Sequence, residues 1–217
     1  MYATAYSGAA VSNDRTGFES DRGMLSGIAE LLGRRGLRAG YRALDYGAGT
    51  GRLATLLVQL GAAVDGVEAA EPARLEAKRR YGYEFYPDLS AVPASSYDFV
   101  IAVEVIEHLT DPLTVLRELR KVLKPGGCFF LTTPNARGLT ARVYRAQWRE
   151  AVNPFHLVLF TNAALYIALE RAGFGEIERI RFSPVGQSSW PRKALHRVLQ
   201  LFNLYGGIRI IARRPNA

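Results

Sequence analysis

Apolar residues along this chain follow two alternating rhythms: continuous runs of strand length, and stretches where leucines recur every three or four positions. Tyr41–Tyr46, Ala63–Val67, Phe99–Val103 and Cys128–Thr133 are the runs. Each is short and bounded by glycine or proline, which predicts strands buried on both faces. Between them, Leu53, Leu56, Leu57 and Leu60 stand at i, i+3, i+4 and i+7, an amphipathic helix closed by Gly61. Leu113, Leu116, Leu119 and Leu123 form a second stripe, opened by Asp111 as N-cap and Pro112 as first helical residue. Ser20–Gly36 reads as a helix with Leu25, Ile28, Leu31 and Leu32 on one side, and Pro72 opens a short one. Pro125-Gly126-Gly127 reads as a turn, and Pro134 stops the strand that follows it. Thr161–Ala172 is a helix capped by Gly173. Ile177–Phe182 and Gly207–Ala212 read as late strands, and Pro191–Leu204 between them carries Leu195, Val198, Leu199 and Phe202 at helical spacing. Alternation of strand and helix predicts an α/β fold whose parallel sheet is covered on both faces. Ligands of such sheets bind at the carboxyl ends of the strands.

Composition narrows the class. At 217 residues, with 48% hydrophobic and 22% charged positions, the chain can bury a full core and is not a disordered tail, coiled coil or collagen. No run approaches the roughly 18 apolar residues of a membrane span. The first residues, Met1 to Ser7, lack the basic and apolar regions of a secretory signal. Cys128 is the one cysteine, so neither an intrachain disulfide nor a multi-cysteine metal site is open. These features lead us to expect a cytoplasmic protein.

The net charge of +8 is unevenly spread. Residues 1–136 carry 15 Lys/Arg against 16 Asp/Glu, whereas residues 137–217 carry 13 against 4. Arg137, Arg142, Arg145 and Arg149 are interleaved with Tyr144 and Trp148, and Arg192, Lys193 and Arg197 flank the apolar stripe of Pro191–Leu204. Solvated basic faces explain both segments. Attraction to an anionic acceptor, RNA or a membrane surface explains them as well.

The main chemical signal is Leu44-Asp45-Tyr46-Gly47-Ala48-Gly49-Thr50-Gly51-Arg52-Leu53, at a strand-to-helix junction. Glycines spaced G-x-G-x-G let the backbone turn sharply and let a ligand touch it. The dinucleotide pattern G-x-G-x-x-G needs a glycine where Arg52 stands, and no Gly-Lys-Ser/Thr follows, so neither that fingerprint nor a P-loop fits. Glu68 ends the second strand 23 positions after Asp45, near the spacing of about 20 at which an acidic residue meets ribose hydroxyls. A bare turn and a surface glutamate are the plain alternatives.

With three further segments in register, the chain resembles class I S-adenosylmethionine-dependent methyltransferases. Asp98–His108, which ends Val103-Glu104-Val105-Ile106-Glu107-His108, is similar to that family's fourth strand and the Glu-His segment after it. Leu119–Gly127 resembles its helix and turn before the fifth strand. Thr132-Thr133-Pro134-Asn135 resembles the exit from that strand in the branch related to ubiquinone-type O-methyltransferases. The resemblance implies a Rossmann-like three-layer sandwich with a seven-stranded, mostly parallel sheet whose last strand is antiparallel. It implies one domain over 1–217: a helical lid (1–40), a cofactor-binding half (41–136) and an acceptor-side half (137–217).

The same resemblance implies S-adenosylmethionine as cofactor and no metal. By position it assigns Asp45, Gly47, Ala48, Gly49 and Gly51 to the methionine part, and Glu68 with Ala69 to the ribose. Asp88 and Leu89 would flank the adenine, and Val103 and Glu104 would line the open side. Glu107 and His108 are the leading candidates for acceptor deprotonation, because imidazole suits proton transfer near neutral pH. His156, in Asn153-Pro154-Phe155-His156, is a second candidate base. A helix cap is the alternative for His108, and a backbone-bonded loop histidine for His156. Asn153-Pro154-Phe155 is similar to a motif of exocyclic-amine methyltransferases, but that motif belongs directly after the fourth strand, so the match is rejected. The expected reaction is O-methylation of a small-molecule hydroxyl, with an anionic acceptor and peripheral membrane contact both open. N-methylation, C-methylation and RNA methylation stand as alternatives, as does a non-catalytic cofactor-binding partner subunit. No DNA partner is expected, and no RNA-binding module is visible.

Overall fold

The computed structural model describes residues 15–181, 198, 201 and 204–216, with side chains from Gly23 onward. Helix α1 (Arg15–Arg34) precedes β1 (Arg42–Tyr46), α2 (Arg52–Gln59), β2 (Ala63–Val67), α3 (Glu71–Tyr81) and β3 (Tyr97–Val103). Then follow α4 (Pro112–Val122), β4 (Leu123–Pro134), α5 (Leu139–Tyr144), α6 (Arg149–Val152) and α7 (Asn162–Arg171), and finally β5 (Gly175–Arg179) and β6 (Gly207–Arg213). The helix expected over Pro191–Leu204 lies outside the described residues, except that 198 and 201 are helical. The late strand expected over Ile177–Phe182 runs instead from Gly175 to Arg179, and Phe182 lies outside the described residues.

The strands form one sheet in the order β2-β1-β3-β4-β6-β5. β1, β2, β3 and β4 are mutually parallel, and β6 runs antiparallel to both β4 and β5. The expectation of an antiparallel last strand therefore holds, but that of seven strands does not: the described residues form six. The missing one is reduced to a single parallel bridge between Val67 and Tyr86. Tyr86 donates to Gly66 O at 2.8 Å and accepts from Glu68 N at 2.9 Å, and there the pairing ends. The next residue able to pair with β2 is Asp88, and there the chain turns away. Asp88 makes that turn by accepting from Ser90 N at 2.8 Å.

Period-two alternation sorts side chains to the two faces of the sheet. Leu44, Val100, Ala102, Phe129 and Leu131 pack with Leu116 and Leu119 of α4 and Leu165 and Leu169 of α7. Their neighbours Ala43, Phe99, Ile101 and Phe130 face Ile28 and Leu32 of α1 and Leu53 and Leu57 of α2. The result is the three-layer sandwich. The Pro125-Gly126-Gly127 turn appears as a bulge inside β4: Tyr97 pairs with Leu123 and Phe99 with Cys128, so the residues between loop out. A second irregularity bends β5, where Gly175 pairs with Arg213 and Glu178 with Ile211, and Glu176 adopts φ 46°. No helix among the described residues is long and apolar enough to cross a membrane.

Phe130 is fully buried between the sheet and the α1–α2 layer, whereas Leu75 on α3 is 60% exposed. Phe130→Ala should lose about 3–5 kcal/mol in urea unfolding. Leu75→Ala should stay within roughly 0.5 kcal/mol of the parent.

Candidate active site

The parallel strands β1, β2 and β3 end together on one edge, and the polar residues of interest follow those ends. After β1, Gly47 N and Ala48 N donate to Val67 O at 2.8 and 3.0 Å, which folds the glycine loop over the end of β2. The three glycines differ in what they face. A Cβ on Gly47 would come within 2.4 Å of Val105, and one on Gly51 within 2.9 Å of Tyr83. A Cβ on Gly49 would meet nothing within 4 Å. Gly47 and Gly51 are therefore tight packing positions, and Gly49, at φ 55°, borders open space.

Glu68, 7% exposed, staples this loop. Its carboxylate accepts from Gly49 N and from Ala70 N, each at 2.8 Å. Asp45 lies beneath, 2% exposed, and its Oδ2 has no hydrogen-bond partner. Burial, and then the charge of Glu68, push its pKa up to about 7, against the pull of a backbone hydrogen bond from Ala54. A buried carboxyl with an unused oxygen suits a cationic ligand group, which would both satisfy the oxygen and restore the charge. Arg74 ties the exit of β2 by donating to the carbonyls of Glu68 and Ala69, both at 2.8 Å. The side chain of Ala69 is exposed. Asp88 is exposed and spends an oxygen on Ser90, while Leu89 is half-buried against the core.

A second polar cluster follows β3. Val103 is half-buried, and Glu104 adopts φ 54°, a left-handed conformation that few non-glycine residues hold. Thr132 Oγ1 donates to Glu104 at 2.6 Å, and Thr133 Oγ1 donates to Glu107 at 2.9 Å. Burial raises both carboxyl pKa values, that of Glu107 to about 8. Glu107 Oε1 is buried with no hydrogen-bond partner. Backbone bonds from Leu157 N and Val158 N to Glu107 O, at 2.8 and 3.1 Å, pin the distant His156 segment to this strand end. Asn153 shapes that segment as a turn, its Oδ1 accepting from Phe155 N at 3.1 Å.

His108 Nδ1 lies 2.9 Å from Phe155 O. A carbonyl only accepts, so the proton sits on Nδ1 and Nε2 is the basic nitrogen. Burial, followed by the nearby His156, lowers the His108 pKa, against the raising effect of the Phe155 bond. The two rings meet edge to face with centroids 4.7 Å apart, and His156 Nδ1 lies 3.1 Å from Glu150 O. One donor atom each from Glu107, His108 and His156 lies within 4.8 Å of the others, a carboxylate–imidazole set that a divalent cation can share. A cleft of about 660 Å³ is lined by Glu104, Glu107, His108, Glu150 and His156. A second, also about 660 Å³, shares Glu104 and Glu150 with it and adds Tyr144, Trp148 and Arg209.

The expected residues thus fall into two groups: Asp45, Gly49 and Glu68 at the glycine loop, and Glu104, Glu107, His108 and His156 around the cleft. Sequence reasoning missed Glu150 and the supporting roles of Thr132 and Thr133. The two threonines sit in the quoted strand exit, where inward alternation beside two acids is a usable signal. Glu150 lies in a segment with no periodicity.

A profile of the methyltransferase domain matches residues 18–178. The ubiquinone biosynthesis O-methyltransferase of Xanthomonas oryzae pv. oryzae is 36% identical over 107 residues, 45% of this chain and 44% of that one. The match thus spans less than half the length of this relative. A methyltransferase of Haloferax volcanii, solved with a methyltransferase activator, aligns over 97% of this chain and 98% of its own, with TM-score 0.72 and 19% identity. A SAM-dependent methyltransferase from Archaeoglobus fulgidus aligns over 86% and 92%, with TM-score 0.64 and 19% identity. At such identities the structures testify to the fold alone.

The buried Asp45 has a measurable consequence. Its pKa rises from 3.8 to about 7 on folding, so folding favours the protonated acid. That contribution is fully present below the unfolded pKa and is lost as pH rises through the folded one. Melting temperature should therefore drop between about pH 4 and 7, and Asp45→Asn should make that drop shallower. Parallel curves for the two proteins would contradict it.

Proposed function

The chain belongs to the methyltransferase domain family, and from that premise we propose that it transfers a methyl group from S-adenosylmethionine to a hydroxyl of a small-molecule acceptor. The observation that carries the reading is Asp45 Oδ2, buried without a partner beneath a glycine loop. The methionine ammonium of the cofactor supplies the missing donor and charge. Gly49 borders the open space that such a ligand needs. Glu68 keeps lone pairs beyond those that bind Gly49 N and Ala70 N, so it can accept from ribose hydroxyls. S-adenosylmethionine brings an electrophilic methyl on a sulfonium. The chain's own work is to align the acceptor, and good alignment can be worth about 7–11 kcal/mol.

An oxygen acceptor must also lose a proton. His108 Nε2 is oriented for this, because the Phe155 carbonyl fixes the proton on Nδ1. A lowered pKa keeps its imidazole neutral, and therefore basic, at neutral pH. Glu107, titrating near 8, is a neutral acid there and steadies the strand end through Thr133. The oxygen specificity takes its support from the O-methyltransferase relative. A second reading, in which Glu107, His108 and His156 share a divalent cation, is favoured by their convergence within 4.8 Å. Dialysis against a chelator followed by calorimetric titration of zinc or magnesium separates the two, since a base needs neither ion.

Incubation with labelled methyl donor and fractionated extract tests the class of acceptor. Label in small molecules supports the proposal; label in RNA or protein replaces it, and cofactor binding without any transfer favours a non-catalytic subunit. Three narrower outcomes are expected. S-adenosylhomocysteine should bind with proton release at pH 6, read from calorimetry in buffers of different ionisation enthalpy, because Asp45 ionises against the ammonium; Glu68→Ala should weaken binding by roughly 1–3 kcal/mol. His108→Ala should lower kcat by about 10²–10⁴-fold while cofactor affinity holds. Unchanged turnover would move the base to His156.

A further inference from the structure

We infer that a pocket walled by Arg179, Arg181 and Arg209, beside the acceptor cleft, holds a compact oxyanion carried by the acceptor, a phosphate or a carboxylate. This rests on the methyl-transfer reading of that cleft.

The fold itself brings the arginines together. β5 and β6 pair antiparallel with Arg179 opposite Ile210, and Ile180 N donates to Arg209 O at 2.8 Å. Arg179 ends β5, and Arg181 follows it by two residues. All three line one pocket with Asn135, Asn162 and Tyr205. Arg209 is only 8% exposed, a burial that arginine seldom reaches on an ordinary solvated face. Its guanidinium lies 5.1 Å from the ring centre of Tyr205, which holds its orientation.

The size and chemistry of the pocket narrow the ligand. Its room is about 20 Å³, enough for one or two water-sized groups and too little for a ring. Guanidinium forks match the paired oxygens of phosphate and carboxylate. Asn162 Oδ1, buried with no hydrogen-bond partner, adds an acceptor for the remaining proton of a phosphate monoanion, which a carboxylate lacks. Burial, and then the neighbouring charge of Arg181, lower the pKa of Arg179 against the pull of Tyr166, so a bound anion favours its charged form. Tyr205, Gly207 and Arg209 also wall the larger cleft that contains Glu104. An acceptor anchored through its anion in the small pocket therefore extends into the cleft where Glu104 lies. The excess of 13 basic over 4 acidic residues after position 136 would draw such an acceptor in.

The test is calorimetric titration of the full chain, saturated with S-adenosylhomocysteine, with phenyl phosphate, benzoate and inorganic phosphate at constant ionic strength set by chloride. Binding of phenyl phosphate or benzoate by the parent, weakened about tenfold in Arg181→Gln and in Arg179→Gln, is the expected result. Arg179→Lys, which keeps the charge but loses the fork, should fall between. Tighter binding of phenyl phosphate assigns a phosphate, and tighter binding of benzoate a carboxylate. Arg181 is exposed, so Arg181→Gln and Arg181→Glu should keep the parental melting temperature, and the latter should abolish binding. No anion binding by a parent that holds S-adenosylhomocysteine overturns the pocket and leaves methyl transfer standing. Anion binding that survives every arginine variant also overturns it. Failure of the parent to hold S-adenosylhomocysteine strikes the methyl-transfer reading instead.

Discussion

One carboxylate organises the cofactor edge of this protein. Glu68, at the exit of β2, receives the backbone N–H groups of Gly49 and Ala70, and so joins the glycine loop of β1 to the turn that starts α3. The loop needs such a tie because its glycines sit at positive φ and carry no side chains to hold it. The same staple sets the electrostatics beneath. Asp45, in a dry site beside that carboxylate, keeps its proton up to about pH 7, well above the usual carboxylate range. Loop shape and ligand charge thus follow from one side chain.

The polar cluster after β3 is built on a different device, hydroxyls paired with acids. Consecutive threonines of β4 meet Glu104 and Glu107 after β3, one hydroxyl to each carboxyl. Parallel pairing of β3 with β4 makes this possible, since Val103 is in register with Thr132 and the acids emerge beside the hydroxyls. The pairing holds Glu104 in its left-handed backbone conformation, and Glu107 O anchors the loop that carries His156. Residues about fifty positions apart in sequence become one wall of a cleft through backbone bonds, reinforced by the hydrogen bond of His108 to Phe155.

These two devices differ in how legible they are. The layers could be read because each buried strand shows a period of two and each leucine stripe a period near four, and both periods survive folding unchanged. Glu68 could be read because it ends a strand at a fixed distance from the glycine loop. The difference between Gly49 and its neighbours could not, because it depends on Val105 and Tyr83 arriving from elsewhere in the chain. Glu150 was invisible for the same reason: its contact with His156 is made by the fold of a loop that has no period. The seventh strand follows the family pattern, but here its ladder stops after Tyr86, where Asp88 turns the chain. The arginines of the small pocket belong to the basic tail by count, but only the folded chain shows that three of them share a wall.

The early stop at Tyr86 has a consequence for the sheet as a whole. It leaves β2 as one rim, five residues long, with pairing on its outer side confined to its last residues. The free stretch is thus about three residues, or roughly 10 Å, too little to seat a foreign strand. Asp65, at the end of that stretch, spends its charge inward on Arg42 and Tyr97, so shortness alone limits this rim. The opposite rim, β5, is bent at Glu176 and lined by Glu176, Glu178 and Arg179. Bulges and charges of this kind discourage edge-to-edge joining. Both ends of the sheet are therefore poor templates for a neighbouring chain, and the fold resists polymerising through its own hydrogen-bonding edges.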